Sequence, residues 1–389
     1  MKKIDSIYIF ALGAYGTGIS GGDRIFIEFA RRWSRQHKVR IFLWTEGKKM
    51  CDRQKLKSRD ITFVVFSMEP WKRLGFLVNY FARIMEGIKL GLTLKLPATR
   101  YQLPDTIIYS ASEFWMDSIP ALILKLRYPK ITWLAAWYQT APSPLSYGWS
   151  LPYWLVQQPI KPVISYFADY VLVNNKEERK QFPKINKKNR VVVVLGAVDL
   201  EKIENWKLKI GNLPKVYDAV FQGRFHPQKG VVELIDIWKK VIDKKPDAKL
   251  AMIGDGPLMS SVKLKIKSEK LENNIKLFGY VFDGEKKYKI FSQSRVVVHP
   301  AFYDSGGMAA AEAMAFGLPC VGFNLDSYKS YYPKGMVKVP VGDKGAFANA
   351  ILSLLSDKNK YREIASDALK MIEKNWSWEE RAKEVIENV

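Results

Sequence analysis

Two series of short β-branched runs alternate with helix-length amphipathic stretches along this chain, and that alternation restricts it to layered α/β folds. In the first half the strand candidates are 5–11, 39–44, 61–66, 106–110, 131–136 and 169–173, and the run 190–199 (RVVVVLGAVD) closes the series. Helices are expected at 22–35, 71–92, 113–126 and 176–182. In the second half, strands are expected at 217–222, 248–253, 275–279, 295–299, 319–323 and 335–339. Between the first two, Leu234, Ile235, Trp238, Val241 and Ile242 recur at helical spacing over 231–243. The stretch 200–215, with Gly211 and Pro214, reads as a hinge. Doubly wound sheets follow from this pattern.

A chain of 389 residues exceeds one ordinary domain, so two are expected. Cys51 and Cys320 fall in different halves and read as reduced thiols of a cytosolic protein. The opening MKKIDSIYIFALGAYG has two lysines and an apolar stretch, but Asp5 interrupts it and a first strand fits better. No apolar run approaches the roughly 18–20 residues that a spanning helix needs. Residues 131–160 carry no charge, yet Pro142, Pro144, Pro152 and Pro159 argue against a span.

Charge is uneven. The net +23 splits into 31 basic against 14 acidic residues over 1–195, and 31 against 25 over 196–389. Residues 31–100 alone hold 17 basic and 5 acidic side chains. A field of that size draws the first half toward an anionic partner: a membrane, a nucleic acid or a phosphorylated acceptor. Neither an arginine-rich helix nor zinc spacing nor the aromatic motif of an RNA-binding sheet accompanies it, which disfavours nucleic acid.

The densest chemistry lies in RVVVHPAFYDSGGMAAAEAMAFG, residues 295–317. An apolar strand ends at His299-Pro300. Asp304, the turn Ser305-Gly306-Gly307, and a helix opening at Met308 and carrying Glu312 follow. Glycines admit a ligand to the backbone, and the N–H groups and positive dipole of a helix start suit phosphates. The loop Gly223–Gly230 (GRFHPQKG) places Arg224 and Lys229 where both can reach one anion, although a solvated basic turn explains it as well. Gly254-Asp255-Gly256-Pro257 ends the next strand and Phe278-Gly279-Tyr280 another. In an open parallel sheet ligands sit at such carboxyl ends, and Phe278 reads either as a base flank or as core. In the first half, Gly21 and Gly22 open a helix that offers a second wall against a diphosphate.

Together, Gly21-Gly22-Asp23-Arg24, Gly196–Asp199, Gly223–Gly230, Gly254–Pro257, Phe278-Gly279, Asp304–Pro319 and the tail around Trp376-Ser377-Trp378-Glu379 resemble the family 4 retaining glycosyltransferases (glycosyl transferases group 1) of the GT-B fold. The resemblance is nearly continuous over the second half and patchy over the first. It implies two doubly wound Rossmann-like domains facing across a cleft. Residues 1–199 would bind the acceptor, 200–374 the nucleotide-sugar, and 375–389 would form a helix returning to the first domain. Arg224 and Lys229 would hold the diphosphate and stabilise its departure. Asp304 would touch the sugar hydroxyls and Glu312 the ribose, while the amides of Gly306, Gly307 and Met308 would meet the phosphates. No cofactor or metal is implied, since fixed cations and a helix start take that role.

The chain departs from the family twice. Asp304 stands where relatives carry glutamate. Many relatives also have a histidine after the strand equivalent to 131–137, where this chain reads LAAWYQT; Tyr138 or Gln139 takes that place on the acceptor side. His226 and His299 read as structural.

Residues 69–98 place Leu74, Leu77, Phe81, Ile84 and Ile88 on one helical face with Lys72, Arg73, Arg83 and Lys89 alongside. Trp133, Trp137, Tyr138, Tyr147, Trp149, Tyr153 and Trp154 follow. Such a combination suits an anionic bilayer; a buried face with basic residues solvated behind it is the alternative. The expectation is a hexosyltransferase moving sugar from a UDP- or GDP-sugar to a lipid-linked or polysaccharide acceptor, cytoplasmic and peripheral on the inner face of the membrane. The alternatives are a catalytically weak nucleotide-sugar-binding subunit and a GT-B nucleotide-sugar epimerase.

Overall fold

Every named strand in the computed structural model runs parallel to its neighbours. The structure describes residues 4–14, 16, 18–67, 75–97 and 105–389. The chain divides into two compact units, Met1–Gly196 with Trp378–Val389, and Ala197–Ser377.

Among the described residues, the first unit has strands β1 (Ser6–Phe10), β2 (Lys38–Trp44), β3 (Ile61–Phe66), β4 (Thr106–Ser110), β5 (Thr132–Ala136), β6 (Tyr170–Val173) and β7 (Val191–Val193). Their order in the sheet is β3-β2-β1-β4-β5-β6-β7. The second unit has β8 (Tyr217–Gln222), β9 (Leu250–Ile253), β10 (Ile275–Leu277), β11 (Ser294–His299), β12 (Cys320–Phe323) and β13 (Met336–Val339), in the order β10-β9-β8-β11-β12-β13. Strand order reverses between β1 and β4 in the first sheet and between β8 and β11 in the second. These are the switch points where open parallel sheets bind ligands. Central strands such as β1 and β9 are almost wholly buried, as helices on both sheet faces require.

Helix Gly75–Thr93 packs against helix Trp115–Arg127. The approach is close because Gly91 lacks a side chain: a Cβ there would lie 2.9 Å from that of Ile123. Ile84 and Leu90 are buried on that side. By contrast, Leu77, Phe81, Met85 and Leu92 are 69%, 63%, 63% and 59% exposed. The apolar face expected here is therefore covered only in part: Ile84 is buried, whereas Leu77 and Phe81, one to two turns before it, are exposed. Arg83 also turns inward, where its guanidinium donates to the Leu12 carbonyl (3.1 Å) and lies over Trp44. Lys72, Arg73 and Leu74 lie outside the described residues.

One expectation for the chain path is corrected, and one helix stands where none was expected. The stretch read as a hinge begins with helix Leu200–Ile210, capped by Asp199, whose carboxylate accepts from the Lys202 amide. The uncharged aromatic segment contains helix Leu151–Phe167 despite Pro159 and Pro162. Burial of Ile160 and Ile164 holds it, as does Gln157, which donates to the Gln139 carbonyl and accepts from the Ala141 amide. Trp133 and Trp137 belong to the core of the first unit, not to a surface. Helix Trp378–Asn388 packs in that unit too: the Trp33 indole donates to the Ala382 carbonyl (2.9 Å), and Arg32 and Arg35 pair with Glu379. Cys51 and Cys320 are free and buried, and burial pushes the Cys51 thiol up to about 12. Among the described residues, no helix is long and apolar enough to cross a membrane.

Candidate functional site

At the switch point of the second sheet, the loops after β8 and β11 stand side by side. The β8 loop ends in a short turn, Pro227–Lys229, and Gly230. This turn brings Lys229 Nζ 2.5 Å from Asp304 Oδ2. The same oxygen meets His299 Nε2 at 2.9 Å and accepts from the Tyr328 hydroxyl at 3.3 Å. Asp304 Oδ1 accepts from the amides of Gly306 (3.2 Å) and Gly307 (3.1 Å). Burial pushes the Asp304 carboxyl up, but the charge of Lys229 and the bond to His299 outweigh it, so the group sits well below the usual carboxylate range. Burial likewise pushes His299 below its ordinary value, opposed by Asp304.

Lys229 and the two glycine amides thus converge on one point, at present filled by the Asp304 carboxylate. A shorter side chain than glutamate folds back onto its own turn, as the sequence at 304–307 allows. Arg224 is exposed on the same loop, and burial, then the charges of Arg224 and Lys229, lower the His226 pKa. Both cations therefore act on one neighbourhood. Ser305 and Met308 are half-buried at the start of the short helix Met308–Met314.

The glycines have roles that the sequence did not disclose. A Cβ on Gly306 would lie 2.2 Å from the Tyr331 ring, so this glycine admits an aromatic from helix Ser327–Tyr331. Gly254 has φ of +146°, and a Cβ there would be 1.8 Å from the Gly223 carbonyl oxygen. A Cβ on Gly256 would lie 2.5 Å from the Phe225 carbonyl oxygen. The loops after β8, β9 and β10 are laced together by Gly223 N to Ile253 O (3.0 Å), Phe225 N to Asp255 O (2.9 Å) and Gly254 N to Gly279 O (2.8 Å). Phe278 is half-buried beside Tyr217, while Tyr280 and Phe282 beyond it are exposed and meet edge to face.

Glu312 lies on the helix after this turn. Both of its oxygens accept from Lys287 Nζ at 2.7 Å, and Oε2 also accepts from Gln222 Nε2 at 3.2 Å. Lys287, Gln222, His299 and Tyr328 were not singled out by sequence reasoning as parts of this site. One local signal existed: Lys287 stands four residues after Asp283, a spacing that pairs charges on a helix.

In the first unit, Gly21 and Gly22 begin helix Gly21–Trp33, capped by reciprocal bonds between Ser20 and Asp23. The space a Cβ would need at Gly22 is taken by the Tyr138 ring, 3.1 Å away. Tyr138 is buried and its hydroxyl bonds to that of Tyr109. The Gln139 carbonyl accepts from Tyr153 and Gln157. Beneath this loop lie three buried carboxylates absent from the expected set. Asp117 accepts from the Gly13 amide (2.9 Å) and the Ser112 hydroxyl, and burial pushes it up to about 7. Glu113 accepts from Tyr153, Glu178 from Thr140, and burial raises both. Among the described residues, no His/Cys/Asp/Glu group is arranged to hold a metal ion.

Residues 202–371 match the model of the family glycosyl transferases group 1. The second unit is a group 1 glycosyl transferase domain. The whole chain shares the GT-B fold, two doubly wound parallel sheets in one chain. It superposes on Anabaena Alr3699/HepE, solved in complex with UDP and glucose, with a TM-score of 0.70 over 98% of each chain at 17% identity. Among curated proteins, it is 26% identical to poly(glycerol-phosphate) alpha-glucosyltransferase of Bacillus subtilis over 42% of this chain and 24% of that one. It is 25% identical to phosphatidyl-myo-inositol mannosyltransferase of Mycobacterium leprae over 69% of this chain and 74% of that one. The chain thus spans only about a quarter of the first relative's length.

Proposed function

We propose that this group 1 chain transfers a hexosyl group from a UDP- or GDP-sugar to a lipid-linked or polysaccharide acceptor, with retention at the anomeric carbon, in building a cell-envelope glycan. The observation that carries this reading is the convergence of Lys229 and the Gly306 and Gly307 amides on one anionic group at the switch point. A diphosphate presents oxygens of the same charge to the same donors. As the glycosidic bond breaks, negative charge gathers on the departing nucleoside diphosphate, and the fixed cations Arg224 and Lys229 lower that barrier. No metal or cofactor enters the proposal. Glu312 accepts from the ribose, Asp304 faces the donor sugar once released from Lys229, and Phe278, Gly279, Gly254 and Gly256 shape the edge that takes the nucleoside. The first unit binds the acceptor beside Tyr138 and Gln139.

Association with the inner face of the membrane belongs to the same proposal. Its support is the exposed row Leu77, Phe81, Met85 and Leu92 with exposed Lys89 and Lys95 on and just after the same helix. The basic excess over 31–100 adds to it. The lipid substrate printed in the name of the mycobacterial relative agrees with it.

The test is incubation with a panel of UDP- and GDP-hexoses and polyprenyl-diphosphate or glycolipid acceptors, with the anomeric configuration of the product read by NMR. Transfer with retained configuration is expected. A second reading, a nucleotide-sugar-binding subunit with little turnover, is favoured by the five groups that already occupy Asp304. Tight nucleotide binding with no product from any pair of substrates would establish it instead.

A further inference from the structure

Lys287 is 1% exposed, on helix Glu285–Ser292, against the rings of Tyr288 and Phe291. A buried ammonium there is costly unless every N–H finds a partner. All three do: Asp283 Oδ1 at 2.5 Å and the two Glu312 oxygens at 2.7 Å each. Two separate segments therefore meet at one ammonium: the stretch from Asp283 to Lys287 after β10, and the helix after β11. With Lys287 removed, the Asp283 and Glu312 carboxylates, 8% and 16% exposed, would face each other without a cation between them.

Acceptor geometry gives this network a consequence. A carboxylate oxygen accepts about two hydrogen bonds. Glu312 Oε2 already takes Lys287 and Gln222, whereas Oε1 takes Lys287 alone. One acceptor direction is left, on Oε1. We infer that Lys287 is a positioning residue that locks Glu312 so that it receives a single ribose hydroxyl through Oε1, an inference that rests on Glu312 being the ribose acceptor proposed above. The second hydroxyl then gains nothing from this carboxylate, and the nucleoside is read through one hydroxyl.

Titration calorimetry on the full chain with UDP, GDP, and the 2′-deoxy and 3′-deoxy forms of whichever binds tests this. For the wild type, loss of one hydroxyl should weaken binding about tenfold, the order expected for one hydrogen bond to a charged group, and loss of the other by under about twofold. Lys287→Met should weaken the parent nucleotide about tenfold and shrink the difference between the two deoxy forms, because the freed carboxylate can turn. A merely structural lysine would lower melting temperature without changing that ratio. If Lys287→Met does not fold, Asp283→Asn, which loosens one of the three contacts, should move the ratio in the same direction by less. Equal losses for both deoxy forms in the wild type, or an unchanged ratio in the folded variant, overturn the inference while the donor site stands. Absence of any UDP or GDP binding by the wild type overturns the donor-site reading as well.

Discussion

Lys229 Nζ lies 2.5 Å from Asp304 Oδ2, joining residues 75 positions apart across the switch point of the second sheet. An incoming diphosphate that takes Lys229 must therefore displace a carboxylate that already holds it. Asp304→Asn should bind free UDP or GDP more tightly than the wild type, by a factor of about three to ten, yet transfer sugar more slowly. Calorimetry and a transfer assay on the same preparation check both halves; weaker nucleotide binding would contradict the competition.

The two cations differ in what they cost the fold. Arg224 is exposed, so Arg224→Ala should leave the melting temperature unchanged while reducing nucleotide affinity. Lys229→Ala strips a mostly buried carboxylate of its cation and should destabilise the second unit by on the order of 3 kcal/mol, besides reducing affinity. Differential scanning fluorimetry separates them, and equal melting temperatures for the two variants would count against the buried pairing.

Stability should respond to pH in opposite senses at the two switch points. Burial raises Asp117 to about 7, above its unfolded value near 3.8, so the native state binds the extra proton between them. That contribution is full below about pH 4 and is lost as pH rises through 7. Asp117→Asn should remove this loss, amounting to on the order of a few kcal/mol by pH 8. His299 and Asp304 are both lowered. Their contributions are present at high pH and are lost on acidification, below about 6.5 for the histidine and below about 4 for the carboxylate. Melting curves from pH 4 to 8 for wild type and Asp117→Asn would show the difference; parallel curves would refute the assignment.

Two glycines should be intolerant for different reasons. Gly306→Ala drives a methyl group into the Tyr331 ring and should cost about 1–3 kcal/mol, partly recovered by adding Tyr331→Leu. Gly254→Ala meets backbone, not a side chain, and adopts a φ that L-residues avoid, so it should cost more and resist rescue. Urea unfolding of the three variants gives the ranking.

The exposed row on helix Gly75–Thr93 predicts flotation with vesicles rich in anionic lipid at low salt. Replacing Leu77, Phe81 and Met85 together by serine should abolish it without lowering the melting temperature, since these side chains project outward. Flotation that survives the triple substitution would move the contact elsewhere.

The strands were legible because short apolar runs, largely buried, leave a continuous signature, as at Val191–Val193 and Leu250–Ile253. Helix Leu151–Phe167 was not, because two interior prolines signal a break and only tertiary burial overrides them. Arg224, Lys229 and Asp304 stood out as charges near glycines after strand ends, and Glu312 as a second carboxylate on the helix that follows. Their partners did not. Lys287 reaches Glu312 across 25 positions, and Tyr331 meets Gly306 across a comparable gap. Spacing within a segment carries no record of such meetings. The same limit explains Arg83, whose charge suggested a surface until the Leu12 carbonyl and Trp44 enclosed it.

Helix Trp378–Asn388 completes the unit that the chain began, through Trp33, Arg32 and Arg35. During synthesis the first sheet therefore waits, with part of its helical layer missing, while the entire second unit emerges from the ribosome. Shortening the chain by that helix should harm the half translated earliest and spare the half translated just before the cut.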